Sequence, residues 1–230
     1  MSFDQHAHSY DDDLRRGLSL SGEPKEFFAR GRLEAAREFF DRTGLRPSRV
    51  LEFGCGIGTN LGIIRELWPQ SDIVGLDSSP ASLDIARRQH GAAGIRLMTP
   101  DRYRQEGASR VDWVFCNGVL HHVPREDHRA VLRAIEELLE RRGVLTLFEN
   151  NPFNPGTRLV MRRIPFDRDA RTINPYRLAA MLRSAGFEDV SLQFLFIFPR
   201  WLSVLRPIEP RLRRVPLGAQ YALFAFRRGA

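Results

Sequence analysis

Lysine is almost missing from this chain: of its 35 basic side chains only Lys25 is not an arginine. Set against 28 acidic residues this gives a net charge of +7. The arginines are spread from Arg15 to Arg228 among the acids rather than gathered into one patch, and so strong a skew toward arginine follows genomic base composition. A nucleic-acid partner is therefore not expected. Cysteine is nearly as scarce. Cys55 and Cys116 have neither the spacing of metal ligands nor the number for a disulfide framework, so no metal is expected and the chain reads as a reduced, cytoplasmic protein. No stretch of about 18 apolar residues occurs, which argues against a membrane-spanning helix. Residues 1–13 are polar and acidic, without the apolar centre of a signal peptide. Internal repeats, low-complexity tracts and linkers are also lacking. With 43% hydrophobic residues over 230 positions, a single domain with a substantial core is the economical reading.

What is present is a regular alternation of elements. In the N-terminal 45 residues Phe27, Phe28, Leu33, Ala36, Phe39 and Phe40 recur at three- and four-residue spacings, predicting helix with Gly44 as its C-cap. Strands are then expected at 49–53, 72–77, 95–98, 111–117 and 143–149. Helices are expected at 59–68, stopped by Pro69, from Ser78 or Ser79 to Gln89, at 125–140, and at 175–185 before Gly186. Two β-rich runs, 187–198 and 220–226, complete the chain. Strands separated by helices of this length make βαβ units and a doubly wound, Rossmann-like α/β sheet covered on both faces.

The stretch "VLEFGCGIGTN" (50–60) sets three glycines at alternate positions between the first strand and a helix. Ligands of doubly wound sheets bind beyond the carboxyl ends of the strands, where glycine lets backbone approach closely and a helix start offers N–H groups. The spacing is not the Gly-x-Gly-x-x-Gly of dinucleotide sites, and Glu52 would repel a pyrophosphate. A carboxylate there suits a ligand carrying an ammonium and a sulfonium. Asp77, ending the second strand, is placed to accept hydrogen bonds from two ribose hydroxyls.

Four stretches, "VLEFGCGIGTN", "IVGLDSSPASLDIAR", "VDWVFCNGVLHHVP" and "GVLTLFENNPFNP", together resemble the class I S-adenosylmethionine-dependent methyltransferases over residues 48–155. "ENNPFNP" is similar to a bacterial subgroup of them. The resemblance implies a seven-stranded sheet with the last strand antiparallel, and S-adenosylmethionine as cofactor. It implies a helical cap at 1–45, a cofactor-binding core at 46–150, and a substrate loop with the closing hairpin at 151–230. By the same resemblance Glu52, Gly54, Cys55, Gly56 and Gly58 line the methionine moiety, with Cys55 a small filler rather than a nucleophile. Asp77 binds the ribose, Ser78 or Ser79 lies near the adenosine, and Asn117 and Gly118 sit beside the methyl group. Asp101 is a loose match for the acid that contacts the adenine amine, and Tyr10 either closes over the cofactor or is a surface aromatic.

Methyl transfer requires a base only when the acceptor must lose a proton. His121 and His122, past the fourth strand, are the candidate bases, or are structural. Glu149, Asn150 and Asn151 end the fifth strand at the same edge and either orient the acceptor or shape turns. The long connection at 150–174 carries Arg158, Arg162, Arg163, Arg168 and Arg171, which either receive an anionic acceptor or form a solvated surface. The insert at 198–218 sets Trp201, Leu202, Val204, Leu205 and Ile208 among arginines. It suits a peripheral membrane contact through 198–214 or a dimer surface, or else packs over the sheet or caps the acceptor pocket. The expected acceptor is a small molecule, a natural-product or glycan intermediate methylated first of all on oxygen, with nitrogen or carbon open. The alternatives are a lipid-linked or quinone-like acceptor and a non-catalytic binding module, and the chain is expected to be a monomer or homodimer.

Overall fold

The computed structural model describes residues 17–19, 21–107, 109–164 and 170–229. Helix α1 (Lys25–Thr43) is closed by Gly44 at φ 71°, the left-handed cap anticipated for it. Then come β1 (Arg49–Phe53), α2 (Leu61–Leu67), β2 (Asp72–Leu76), α3 (Pro80–His90), β3 (Arg96–Met98), α4 (Pro100–Gln105) and β4 (Val111–Asn117). The chain continues through α5 (His128–Leu138), β5 (Leu139–Asn150), α6 (Pro155–Arg163), α7 (Pro175–Ser184), β6 (Phe187–Leu195), α8 (Glu209–Leu212) and β7 (Gln220–Arg227).

The sheet has seven strands in the order β3-β2-β1-β4-β5-β7-β6. The first five run parallel, and β7 lies antiparallel between β5 and β6, as the resemblance implies. Strand order reverses between β1 and β4, whose last partners are Phe53 and Cys116. That reversal opens a crevice between the glycine loop after β1 and the turn at Asn117–Gly118.

Alternating strand residues feed two cores. Leu51, Val74, Val114 and Leu145 pack under α5 and α7 through Leu132, Ile135, Leu178 and Leu182. On the other face Val50, Ile73, Trp113, Phe148 and Phe224 meet α1 through Leu33, Phe39 and Phe40. Phe39 stacks on Phe224 at 4.9 Å and Phe40 meets Trp113 edge-on at 5.0 Å. Each such ring buried is worth roughly 1.5–3 kcal/mol. The aromatic stripe of α1 therefore fixes that helix across the sheet.

Several boundaries differ from the sequence expectation: β6 ends at Leu195 rather than 198, α5 begins at His128 rather than 125, and two further changes have a visible cause. The helix expected at 125–140 ends at Leu138, and β5 begins at Leu139 rather than Gly143. Leu139 pairs with Val111, with a bulge before Trp113 meets Val144, and its carbonyl accepts a hydrogen bond from Arg227. Helical periodicity runs straight through Leu138 and Leu139, so only these cross-strand partners decide the change. Helix α2 starts two residues later than expected, because Thr59 and Asn60 belong to the loop.

The described parts of the two long connections lie around the site. The one after β5 contains α6, capped by Asn154 Oδ1 accepting from Thr157 N. The insert before β7 forms a 3-10 segment, Arg200–Ile208, followed by α8. It folds back on α1. Arg206 pairs with Glu23 at 2.7 Å and lies over the Phe27 ring, and Arg213 pairs with Glu38. The asparagines after β5 fasten it from the other side. Asn151 Nδ2 donates to Gly218 O at 2.7 Å, and Asn154 Nδ2 donates to Leu217 O at 2.6 Å. Asn151, fully buried, thus holds the insert and does not face an acceptor. Among the described residues no helix is long and apolar enough to cross a membrane.

Candidate functional site

A cavity of about 700 Å³ lies over the crevice, enclosed by the glycine loop, the ends of β2, β4 and β5, helices α1 and α6, and the insert. The three glycines of the loop serve two different needs. All have positive φ: 74° at Gly54, 52° at Gly56 and 89° at Gly58. A Cβ on Gly54 would fall 2.3 Å from Val119 Cγ2, and one on Gly58 would fall 2.8 Å from the His90 ring. A Cβ on Gly56 would meet nothing within 4 Å. Gly54 and Gly58 allow close packing, whereas Gly56 keeps the loop open.

Asp77 holds that loop in shape. Its Oδ2 accepts from Gly56 N and its Oδ1 from Ser79 N, both at 2.8 Å. Ser79 in turn caps α3 by accepting from Ser82 N. Ser78, not Ser79, reaches the cavity lining together with Asp77. Backbone N–H groups of the loop are thus committed partly to Asp77 and partly to Leu76 O, which accepts from Gly54 N and Cys55 N.

Glu52 is buried directly behind the lining rather than within it. Its Oε1 accepts from Asn60 Nδ2 at 2.7 Å, and Oε2 has no hydrogen-bond partner among the described residues. Burial, opposed by the Asn60 bond and the Arg32 charge, lifts its carboxyl to about 8. Asn60 Oδ1 accepts from Arg32 Nη2 at 3.4 Å, Arg32 Nη1 donates to Gln220 Oε1 at 3.1 Å, and Gln220 Nε2 donates to Asn150 Oδ1 at 3.4 Å. This chain of polar groups crosses the floor of the cavity from β1 to β5. Cys55 and Cys116 are buried, and both thiols are pushed up, chiefly by burial, so neither is a nucleophile near neutral pH.

Opposite the loop, Glu149 Oε2 lies 2.5 Å from His121 Nδ1, and Glu149 Oε1 accepts from Leu120 N at 2.8 Å. The pair is almost wholly buried, yet both residues border the cavity. His122 also lines it, its ring 4.1 Å from that of His121. The site therefore brings together Gly54, Cys55, Gly56, Asp77, Ser78, Asn117, Gly118, His121, His122, Glu149 and Asn150.

Other expected residues stand apart. Asp101 points to solvent, paired with Arg104 at 2.6 Å, because Thr99 and Pro100 start α4 and turn it outward. Arg158, Arg162, Arg163 and Arg171 are exposed and outside the lining. Tyr10 and Arg168 lie outside the described residues. Among the described residues the cations that do reach the cavity are Lys25, Arg32 and Arg206, none of which the sequence reading singled out as a site residue. Arg32 had a legible signal: it occupies the same helical face as Ala29, Leu33 and Ala36, where a charge needs a buried partner.

Among described families, "Methyltransferase domain" matches residues 51–145. The chain is 30% identical over 164 residues to a trans-aconitate 2-methyltransferase of Azoarcus sp., a match covering 71% of this chain and 63% of that protein. It is also 30% identical over 138 residues to a trans-aconitate 2-methyltransferase of Enterobacter sp., covering 60% and 53%. The chain thus spans less than two thirds of the length of these curated relatives. In fold it is similar to a SAM dependent methyltransferase from Archaeoglobus fulgidus, at a TM-score of 0.67 and 17% identity, covering 89% of this chain and 95% of that one.

Proposed function

We propose that the chain is a class I S-adenosylmethionine-dependent methyltransferase that moves a methyl group to an oxygen of a small organic acceptor, a reading supported by the methyltransferase match over residues 51–145 and the likeness to curated methyltransferases. The observation that carries this reading is one cavity with the glycine loop and Asp77 on one wall and the buried His121–Glu149 pair on another.

The residues present fit that cofactor. Open space above Gly56 admits a ligand against the loop backbone. Asp77, held at the cavity edge by its bonds to Gly56 N and Ser79 N, is the carboxylate placed to accept from ribose hydroxyls. The buried Glu52 carboxyl, which keeps its proton up to about pH 8, can give that proton up beside a cationic group, which favours an ammonium at the methionine end. Ser78 and Asn117–Gly118 complete the cofactor side in this reading. The N-terminal cap, the core at 46–150 and the segment 151–230 then divide into cover, cofactor cradle and acceptor wall.

When bound, the cofactor supplies a methyl group on a positively charged sulfur, ready for in-line displacement. The work left to the chain is to hold the acceptor oxygen in line, exclude water and take a proton. An imidazole whose Nδ1–H donates to Glu149 is held in one tautomer and takes a proton on Nε2. Glu149 then steadies the imidazolium, in a pair sealed from water. Asn150, fixed by Gln220, is the polar group beside it that orients the acceptor.

The acceptor side is walled by Phe27, Phe28, Val160, Ile164, Phe196 and Phe198. This wall supports an acceptor with an apolar body, such as a natural-product intermediate, more than a bare glycan. Calorimetry with S-adenosylhomocysteine, followed by labelled-methyl transfer to hydroxylated aromatic, carboxylic (trans-aconitate among them) and amine acceptors, tests the reading. Cofactor binding with transfer to an oxygen acceptor is expected. Binding with no transfer to any acceptor or cell extract would mark a non-catalytic module instead.

A further inference from the structure

The insert that roofs the cavity carries its largest apolar residues outward. Trp201 is 75% exposed and Val204 81%, and Leu205, Ile208 and Leu217 are exposed beside them in the same stretch. Buried packing does not account for them, because the 3-10 segment Arg200–Ile208 has no buried residue at all. Its attachments are made instead through polar and backbone groups: Arg206 to Glu23, Arg200 N to Ser21 O, and Phe198 N to Glu209. These contacts tie the insert down while Trp201, Val204, Leu205 and Ile208 stay exposed.

The same stretch is strongly cationic. Residues 198–218 hold five arginines and one acid, Glu209, and that acid is turned inward onto Phe198 N. Arg206 and Arg213 are consumed by Glu23 and Glu38. Arg200, Arg211 and Arg214 remain exposed, and among the described residues none of the three has an ion pair. Apolar side chains led by a tryptophan, flanked by unneutralised arginines, match the interface of an anionic bilayer, where indole sits at headgroup depth and arginine meets phosphate. Continuity with the cavity gives this surface a purpose. Trp201 borders the cavity, whose lining also includes Phe27, Phe28 and Phe198, while most of its surface is exposed. Trp201 thus belongs both to the outer surface and to the cavity lining that holds the acceptor wall.

We propose that the segment 200–217 docks the protein on an anionic lipid surface and that an acceptor with an apolar body enters the cavity from that surface past Trp201. The second half of this statement rests on the acceptor-site reading above, whereas the docking itself does not.

Sedimentation with phosphatidylglycerol and with phosphatidylcholine vesicles tests it, using the full chain, Val204→Glu, and the double variant Arg211→Glu with Arg214→Glu. None of these three positions borders the cavity. The expected result is pelleting with phosphatidylglycerol only, reduced at least 10-fold in both variants, with S-adenosylhomocysteine affinity by calorimetry unchanged in all. Absence of pelleting, equal pelleting with both lipids, or variants that pellet like the parent would overturn the proposal. So would a concentration-dependent dimer, abolished by Val204→Glu and without vesicle binding, since a second copy would then cover the patch. Failure of the parent to bind S-adenosylhomocysteine would instead refute the cofactor reading and leave the vesicle result to stand by itself.

Discussion

Glu149 reaches two neighbours from the end of β5, one oxygen on the His121 imidazole at 2.5 Å and the other on the Leu120 backbone N–H at 2.8 Å. It fixes both the ring and the turn that carries it. His121→Ala is expected to lower kcat by about 10²–10⁴-fold, the usual worth of a positioned base, with cofactor affinity within a few-fold of the parent. Glu149→Gln keeps the bond to Leu120 but removes the charge, so the rate-against-pH profile should shift along the pH axis. Single-turnover rates from pH 5 to 9 decide this. Full activity with an unchanged profile in both variants would remove the base role.

Asp77 joins loop shaping to ligand binding. Asp77→Ala should weaken S-adenosylhomocysteine binding by about 1–3 kcal/mol through lost charged hydrogen bonds. It should also lower the thermal midpoint, because Gly56 N and Ser79 N lose their acceptor. Asp77→Asn, which retains one acceptor oxygen, should fall between the two in both measurements. Unchanged affinity in the Ala variant would show that the ribose lies elsewhere.

The buried carboxyl of Glu52, lifted to about 8, makes stability depend on pH in a definite direction. At pH values below about 4.5 it is protonated in both folded and unfolded chains and contributes nothing. Between there and pH 8 the folded protein keeps a proton that the unfolded chain has lost, so stability falls as pH rises. The whole loss is on the order of a few kcal/mol, at about 1.4 kcal/mol per pH unit. Glu52→Gln can still accept from Asn60, so it should match the parent in urea at pH 5 and exceed it at pH 8. A cationic ligand beside this group should also expel its proton. Calorimetry at pH 7 in buffers of different ionisation enthalpy is therefore expected to show proton release on S-adenosylmethionine binding in the parent and not in the variant.

Two glycines of one loop should behave differently. Gly54→Ala places a methyl 2.3 Å from Val119 and should cost about 1–3 kcal/mol of overpacking, with strain at positive φ added. Gly56→Ala meets no protein atom, so its stability cost should be confined to the φ penalty of about 1–2 kcal/mol. Its main effect should be on cofactor affinity, since the new methyl occupies the open side of the loop. Denaturation midpoints and calorimetry, run side by side, separate the two outcomes.

Much of this was legible in local sequence. Strand β4 falls where alternation and composition put it, the N-cap of α3 is one of the two serines expected, and Gly44 ends α1. These features depend on a few consecutive residues, whose conformational preferences act before any tertiary contact forms. The glycine loop and Asp77 were equally readable, because a turn between buried strand and helix needs those residue types at that spacing. Asp101 misled because an acid near the end of β3 satisfies the pattern whichever way its helix turns. Pro100 at the first turn of α4 directs it to solvent.

The sequence by itself determined the order of strands and helices, the glycine turn, and the ligand edge of the sheet, all of which follow from short-range periodicity and backbone preference. Only the tertiary structure decided that Arg32, 28 positions from Asn60 and 188 from Gln220, closes the cavity floor. It also decided that β5 begins at Leu139, that Asn151 holds a distant insert rather than an acceptor, and that this insert turns Trp201 and Val204 outward. Each of these depends on pairing between groups far apart in the chain, where the cost of burying a charge or leaving a polar atom unmatched is settled only once the sheet has assembled.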